Sequence, residues 1–214
     1  MTRLLVSLTV TDLDSYRRYR DNDEMSLQEL LRRLHRLDPP SDAMRAGTAL
    51  HSLLEAPQTG SLSSAEISSA EIDGHHFTFS LDASLPLLPF RELHGKRIYE
   101  VNGEEIEVRG KVDTFDGFAV EDHKLTQSTF DAERYFTSYQ WRLYLSLFNA
   151  RKFRYNVFTG KFLNVDEAGL QCWEITDFQR LELCRYPELE DDITRELEEY
   201  AEFAHHHLLN EKER

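Results

Sequence analysis

The chain has 214 residues, of which 40% are hydrophobic and 11% aromatic. That is enough for one globular domain with a real core and argues against disorder. No apolar run approaches the roughly 18 residues that span a bilayer, so no membrane partner is expected. The net charge of −14, from 39 acidic and 25 basic residues, argues against a surface that clings to nucleic acid everywhere, although a local cleft can carry the opposite sign.

In chain order, Met1–Val10 is apolar but short and no small-residue cleavage site follows, so it reads as a first strand and not a signal peptide. Thr11 to Ser15 offer capping side chains ahead of Tyr16. Residues 26–37 place Leu27, Leu30, Leu31, Leu34 and Leu37 at helical spacing, with Ser26 and Glu29 forming a capping box. A second helix is expected over residues 42–55, ending before Pro57. Residues 58–88 are Ser-rich and read as short strands and loops.

From Arg97 the period changes to two. Residues 97–101, the pair Asn102-Gly103 and residues 104–114 predict a β-hairpin. Asp116-Gly117 predicts a second turn, followed by a strand over 118–124. A helix over 132–149 carries Tyr135, Tyr139, Leu143 and Leu147, and 152–158 is again a strand. Residues 188–209 form an acidic helix in a segment, 163–214, with five basic and fifteen acidic residues. The order predicts an α/β or α+β domain with a mixed sheet. Cys172 and Cys184 match no zinc or redox spacing and read as inert thiols in a cytoplasmic protein.

If Asp116-Gly117 is a two-residue turn, Asp113 lies opposite Val120, and Asp113, Asp122 and Lys124 share one face. Two neighbouring carboxylates repel unless a cation lies between them, and Mg²⁺ or Mn²⁺ suits such oxygens. Lys124 adds a positive charge beside them. Glu121 and His123 point to the other face, with the His123 backbone carbonyl still within reach of an ion. The same register puts Lys111 opposite Asp122, which would equally suit an ordinary ion-paired sheet face.

Further motifs accompany this Asp-His-Lys strand. Upstream is Gly47-Thr-Ala-Leu-His51-Ser-Leu-Leu-Glu55, on the second helix. Gly110-Lys-Val-Asp113 ends a strand, and Gln140-Trp-Arg-Leu-Tyr144 puts two polar side chains one helical turn apart. In this order the chain, from about residue 42 to 158, resembles the RecB-type, phage-exonuclease-like branch of the PD-(D/E)xK nuclease superfamily.

The resemblance implies a restriction-endonuclease-like core, an α/β fold whose central mixed β-sheet is flanked by helices. The domain would be single, with a helical N-terminal extension over 1–41 and an acidic C-terminal strand-and-helix extension over 159–214. It implies a DNA nuclease dependent on Mg²⁺ or Mn²⁺, an exonuclease working in recombination, repair or phage genome processing, without a nucleotide cofactor. His51, Asp113, Asp122 and the His123 carbonyl match the metal ligands of that branch. Lys124 matches its catalytic lysine, and Gln140 and Tyr144 the helix pair that positions substrate. Glu92 or Glu100 would supply an acid that often precedes the Gly-x-x-Asp, with Glu92 preferred. A related group of CRISPR adaptation nucleases holds an iron–sulphur cluster through four cysteines, which two cysteines do not supply.

Other residues have plainer readings. Glu55 suits a helix-end salt bridge. His205, His206 and His207 cannot all face one ion and read as an exposed tail. Arg17, Arg18, Arg20, Arg32, Arg33, Arg36 and Arg45 form one basic set, and Arg151, Lys152, Arg154 and Lys161 another. Solvated helix faces account for most of them, Arg45 being the preferred phosphate contact. Two other functions compete: a nuclease-like module docking a protein partner through the acidic C-terminal helix, and an acidic DNA mimic.

Overall fold

The structure, a computed structural model, describes residues 3–21, 25–55, 69–81 and 89–209. Strand β1 (Arg3–Thr9) runs into helix α1 (Val10–Asp21), followed by α2 (Leu27–Leu34) and α3 (Asp42–Glu55). Strands β2 (Ser69–Ile72), β3 (His75–Phe79), β4 (Phe90–Val101), β5 (Glu104–Phe115) and β6 (Ala119–Thr126) come next. Helices α4 (Ala132–Thr137) and α5 (Gln140–Leu147) precede β7 (Lys152–Val165) and β8 (Gln171–Cys184). Helix α6 (Leu189–Ala204) and a π-helical turn, His205–Leu209, close the described chain.

The strands form one eight-stranded mixed sheet. Strand β5 is its hinge. Along one edge it pairs antiparallel with β4, from Val101↔Glu104 to Phe90↔Phe115. Along the other it pairs parallel with β1 over Glu104–Arg109, then antiparallel with β6 at Thr114 and Phe115 alone. Between those partners, residues 110–113 have no described strand on that edge, so the sheet is split there. Beyond the split the order continues β6, β7, β8, β3, β2, with β6–β7 and β3–β8 parallel.

Helices cover both faces. Phe153, Tyr155 and Val157 of β7 enter a core with Leu13 and Tyr16 of α1, Leu143 and Tyr144 of α5, and Ile193 and Leu197 of α6. Phe158, one residue further along the same strand, joins Phe77, Trp173 and Ile175 against Ala46, Leu50 and Leu54 of α3. This is an α/β protein with a mixed central sheet flanked by helices. Strand β1 and helix α6 belong to the same sheet and core as the middle of the chain. Much of the acidity of α6 is spent inside the fold: Glu196 pairs with Arg17 and Arg20, and Glu190 with Arg97 and Arg185.

Several predicted boundaries move for local reasons. Helix α1 begins at Val10, because Thr9 N–H donates to Asp12 Oδ2 at 2.8 Å and Asp12 N–H to Thr9 Oγ1 at 3.2 Å. The helix expected over 132–149 is two helices, the second capped from outside: Asp14 of α1 accepts from Tyr139 N–H at 3.3 Å and Ser138 Oγ at 2.8 Å. The helix expected over 188–209 is α6 plus the π-helical turn, in which His205 meets Glu104 at 2.7 Å. Of residues 58–88, 58–68 and 82–88 lie outside the described residues, and 69–79 form the β2–β3 hairpin.

The predicted register at Asp116-Gly117 shifts by two. Phe115 pairs with Val120 and Thr114 with Glu121, not with Phe118 and Ala119. The cause is Asp116, whose Oδ1 accepts from the N–H groups of Phe118 and Ala119 at 2.7 Å each and so closes a wider turn. A shift of two residues keeps every side chain on its predicted face. Lys111 therefore does not face Asp122; its Nζ pairs with Glu92 at 2.6 Å. Of the two cysteines, Cys172 is half-buried and Cys184 exposed; both are free thiols.

Candidate active site at the sheet split

Where β5 and β6 part, the Asp113 carboxylate takes the place of the missing rung. Its Oδ2 accepts from His123 N–H at 2.6 Å, and its Oδ1 lies 3.3 Å from His51 Nδ1 on α3. The His123 N–H is thus the backbone group that meets the acid. Burial pushes the Asp113 carboxyl up, but the His51 bond and the nearby His51, His123 and Lys124 charges outweigh it, lowering it to about 2. Burial pushes His51 down; Asp113 and Asp122 more than compensate, and its pKa is raised.

Asp122 is buried, and burial drives its carboxyl upward, with Lys124 opposing and Asp113 reinforcing the rise. Lys124 Nζ lies 2.7 Å from Asp122 Oδ2. That ion pair falls outside hydrogen-bond geometry, so Oδ2 is buried without a hydrogen bond. Burial lowers the Lys124 pKa, yet Asp122 and Asp113 hold it above its ordinary value, and the ammonium stays charged. Among the described residues, no three His, Cys, Asp or Glu side chains are gathered closely enough to hold a metal ion.

The other predicted residues separate into distinct places. Glu92 sits opposite Asp113, between the rungs Arg91↔Thr114 and Leu93↔Val112, in a left-handed conformation with φ +48°. Glu100 pairs with Glu105 toward the far end of that hairpin. Tyr144 is buried and donates to the Lys111 carbonyl at 3.0 Å. It packs where β5 has no side chain: a Cβ on Gly110 would meet Tyr144 Cε1 at 2.7 Å. The Gly-x-x-Asp and Gln-x-x-x-Tyr motifs are therefore one packing unit. Gln140, a turn earlier, lines a cleft of about 710 Å³ together with Lys124. Arg45, on the same helix as His51, is bound to Asp42 and, at 2.6 Å, to the Pro40 carbonyl.

Two groups of residues escaped the sequence reading. Arg134, Tyr135 and Ser138 line the cleft with Gln140 and Lys124. Behind the site, Asn156 is fully buried and donates to Glu121 Oε2 at 3.1 Å and His123 Nδ1 at 3.3 Å, while Arg180 Nε donates to its Oδ1 at 2.8 Å. Burial lowers the His123 pKa to about 4, so the ring is a neutral acceptor at pH 7. These residues are polar positions on a sheet face, and a linear pattern gives no sign that they are buried together.

No protein-family model matches the chain, and no curated protein matches it. Among solved structures, the crystal structure of SSO0001 is similar over 90% of this chain and 74% of that one, at 16% identity and a TM-score of 0.49. Among the described residues no helix is long and apolar enough to cross a membrane.

Proposed function

We propose that the protein is a divalent-metal-dependent nuclease of the PD-(D/E)xK type, with Asp113, Asp122 and Lys124 at the reacting centre. The observation that carries the reading is the clustering at the sheet split: His51 from α3 meets Asp113, and Asp122 meets Lys124. A plain ion-paired sheet face does not require a histidine from the helix on the opposite face.

The side chains are of the type a hard divalent cation takes, but as placed no three of them are gathered closely enough to hold one, so they would have to draw together around it. Asp122 Oδ2 is buried and is met by the Lys124 ammonium at 2.7 Å without hydrogen-bond alignment, so a divalent ion would share or displace that contact. Asp113, Asp122 and His51 would hold Mg²⁺ or Mn²⁺, which supplies Lewis acidity and an activated water at neutral pH. The Lys124 ammonium stabilises charge on the non-bridging oxygens of a phosphodiester. Asp113, anchored by His123 N–H, keeps β5 and β6 in fixed relation. Gln140 faces the cleft beside Lys124 and orients the substrate there.

The test is hydrolysis of DNA by the purified chain in Mn²⁺ and in EDTA, with Lys124→Ala alongside. Cleavage in Mn²⁺, lost in EDTA and reduced at least about a hundredfold in Lys124→Ala, is expected. Full activity in Lys124→Ala would remove the assignment.

A further inference from the structure

The cleft beside Lys124 has a charge balance opposite to that of the chain as a whole. Its walls are α1, α4, the start of α5, the end of β6 and Tyr155 of β7, and its acids, Asp14 and Asp21, are already committed. Asp14 caps α5, and Asp21 pairs with Arg17 and Arg20 at 2.8 and 2.7 Å. Arg17 is further held by Glu196 and by the Thr137 carbonyl. Arg18 and Arg134 are exposed and have no ion-pair partner among the described residues. The cations left to meet a ligand are thus Arg18 on α1 and Arg134 on α4, while Lys124 on β6, also on the cleft, is paired with Asp122. Tyr135 lines the same cleft, its ring steadied by Phe130 at 5.7 Å and Tyr155 at 5.0 Å. A volume of about 710 Å³ lies in the range of small-molecule sites, about 300–1,000 Å³, which suits unpaired nucleotides and not two stacked strands.

We infer that this cleft binds single-stranded DNA, with phosphates on Arg18 and Arg134 and a base against Tyr135, and leads the strand past Gln140 to Lys124. Guanidinium groups position a phosphate backbone without reading sequence, and a fixed aromatic ring accepts any base. The inference rests on the nuclease reading for its direction toward Lys124, but the binding site is argued from the cleft alone.

The test is fluorescence anisotropy of a labelled oligonucleotide and of its duplex in EDTA, over a series of salt concentrations, with the full chain. The single strand is expected to bind at least about tenfold more tightly than the duplex. Arg18→Ala and Arg134→Ala should each flatten the slope of log K against log salt by about 0.7, while Arg18→Lys keeps it. Tyr135→Ala should weaken binding about fivefold or more, and Arg195→Ala, on α6, should leave it unchanged. Equal affinity for the duplex, or wild-type salt slopes in both arginine variants, would overturn the inference even where hydrolysis is intact. Wild-type protein that binds in the expected pattern but cleaves nothing in Mn²⁺ would sink the nuclease reading and leave the strand site standing.

Discussion

His51 Nδ1 lies 3.3 Å from Asp113 Oδ1, tying helix α3 to the stretch of β5 that has no strand along one edge among the described residues. The two pKa shifts set the pH window of this contact. Asp113 is lowered to about 2, so its share of stability is present above the ordinary carboxylate range near 4 and is lost as pH falls through the lowered value. His51 is raised, so its share is full below the ordinary value near 6.5 and is lost as pH rises through the raised one. The pair therefore stabilises most between about pH 4 and 6.5. In EDTA, His51→Gln should unfold at lower urea than wild type, by on the order of 1 kcal/mol at pH 5, with a smaller gap at pH 8. A gap that widens toward pH 8 would contradict the pairing.

The packing of α5 on β5 gives a second prediction. A Cβ at Gly110 would meet Tyr144 Cε1 at 2.7 Å, and Leu147 Cδ1 and Val10 Cγ2 at 3.0 Å each. All three belong to packed elements that cannot simply move aside. Gly110→Ala should destabilise by about 1–3 kcal/mol in urea unfolding. Gly47 is the contrast, since a Cβ there meets nothing within 4 Å. Gly47→Ala, inside α3, should stabilise by about 0.5–1 kcal/mol. Opposite signs at two motif glycines separate the one that packing requires from the one it does not.

The two cases illustrate what the sequence could and could not disclose. Local signals were legible: the Ser26–Glu29 capping box forms, and Asn102 and Gly103 take the positive φ of a tight hairpin, +51° and +80°. The shared face of Asp113, Asp122 and Lys124 was legible too, because a register error of two residues preserves facing. What failed depended on distant partners or on broken phase. A strand is expected within 159–214, but β8 cannot be placed in it from the sequence because its alternation slips near Thr176, where the pairing passes from Thr159↔Asp177 to Gly160↔Ile175. The start of β4 was hidden by the left-handed Glu92. The break between α4 and α5 is set by Asp14, on a helix far earlier in the chain.

Behind the site, Glu121 is buried with Arg154 Nη1 at 3.1 Å and Asn156 Nδ2 at 3.1 Å. Arg154→Met removes the only cation paired with that carboxylate among the described residues and should cost about 3 kcal/mol. Adding Glu121→Leu should recover most of the loss, because a buried pair and a well-packed apolar pair differ little. Urea unfolding of the two single variants and the double one gives the coupling energy. A double variant as unstable as the sum of the singles would mean that the two side chains act independently.

The last prediction concerns divalent ions and stability, which can be read without any substrate. A ligand that binds the folded chain alone at a hundredfold its Kd adds about 2.7 kcal/mol. For a chain of this size that is a rise in Tm of roughly 5–10 °C. Mn²⁺ should produce such a rise in the wild type and a much smaller one in Asp113→Asn and Asp122→Asn, which keep the shape of the site and remove its charge. Lys124→Met tests the sign of the argument. The ammonium lies 2.7 Å from Asp122 Oδ2, so it competes with any cation for that oxygen. Its removal should leave the Mn²⁺ shift at least as large as in the wild type while hydrolysis is lost. If Lys124→Met abolished the shift and Asp122→Asn kept it, lysine and carboxylate would have exchanged the roles assigned to them.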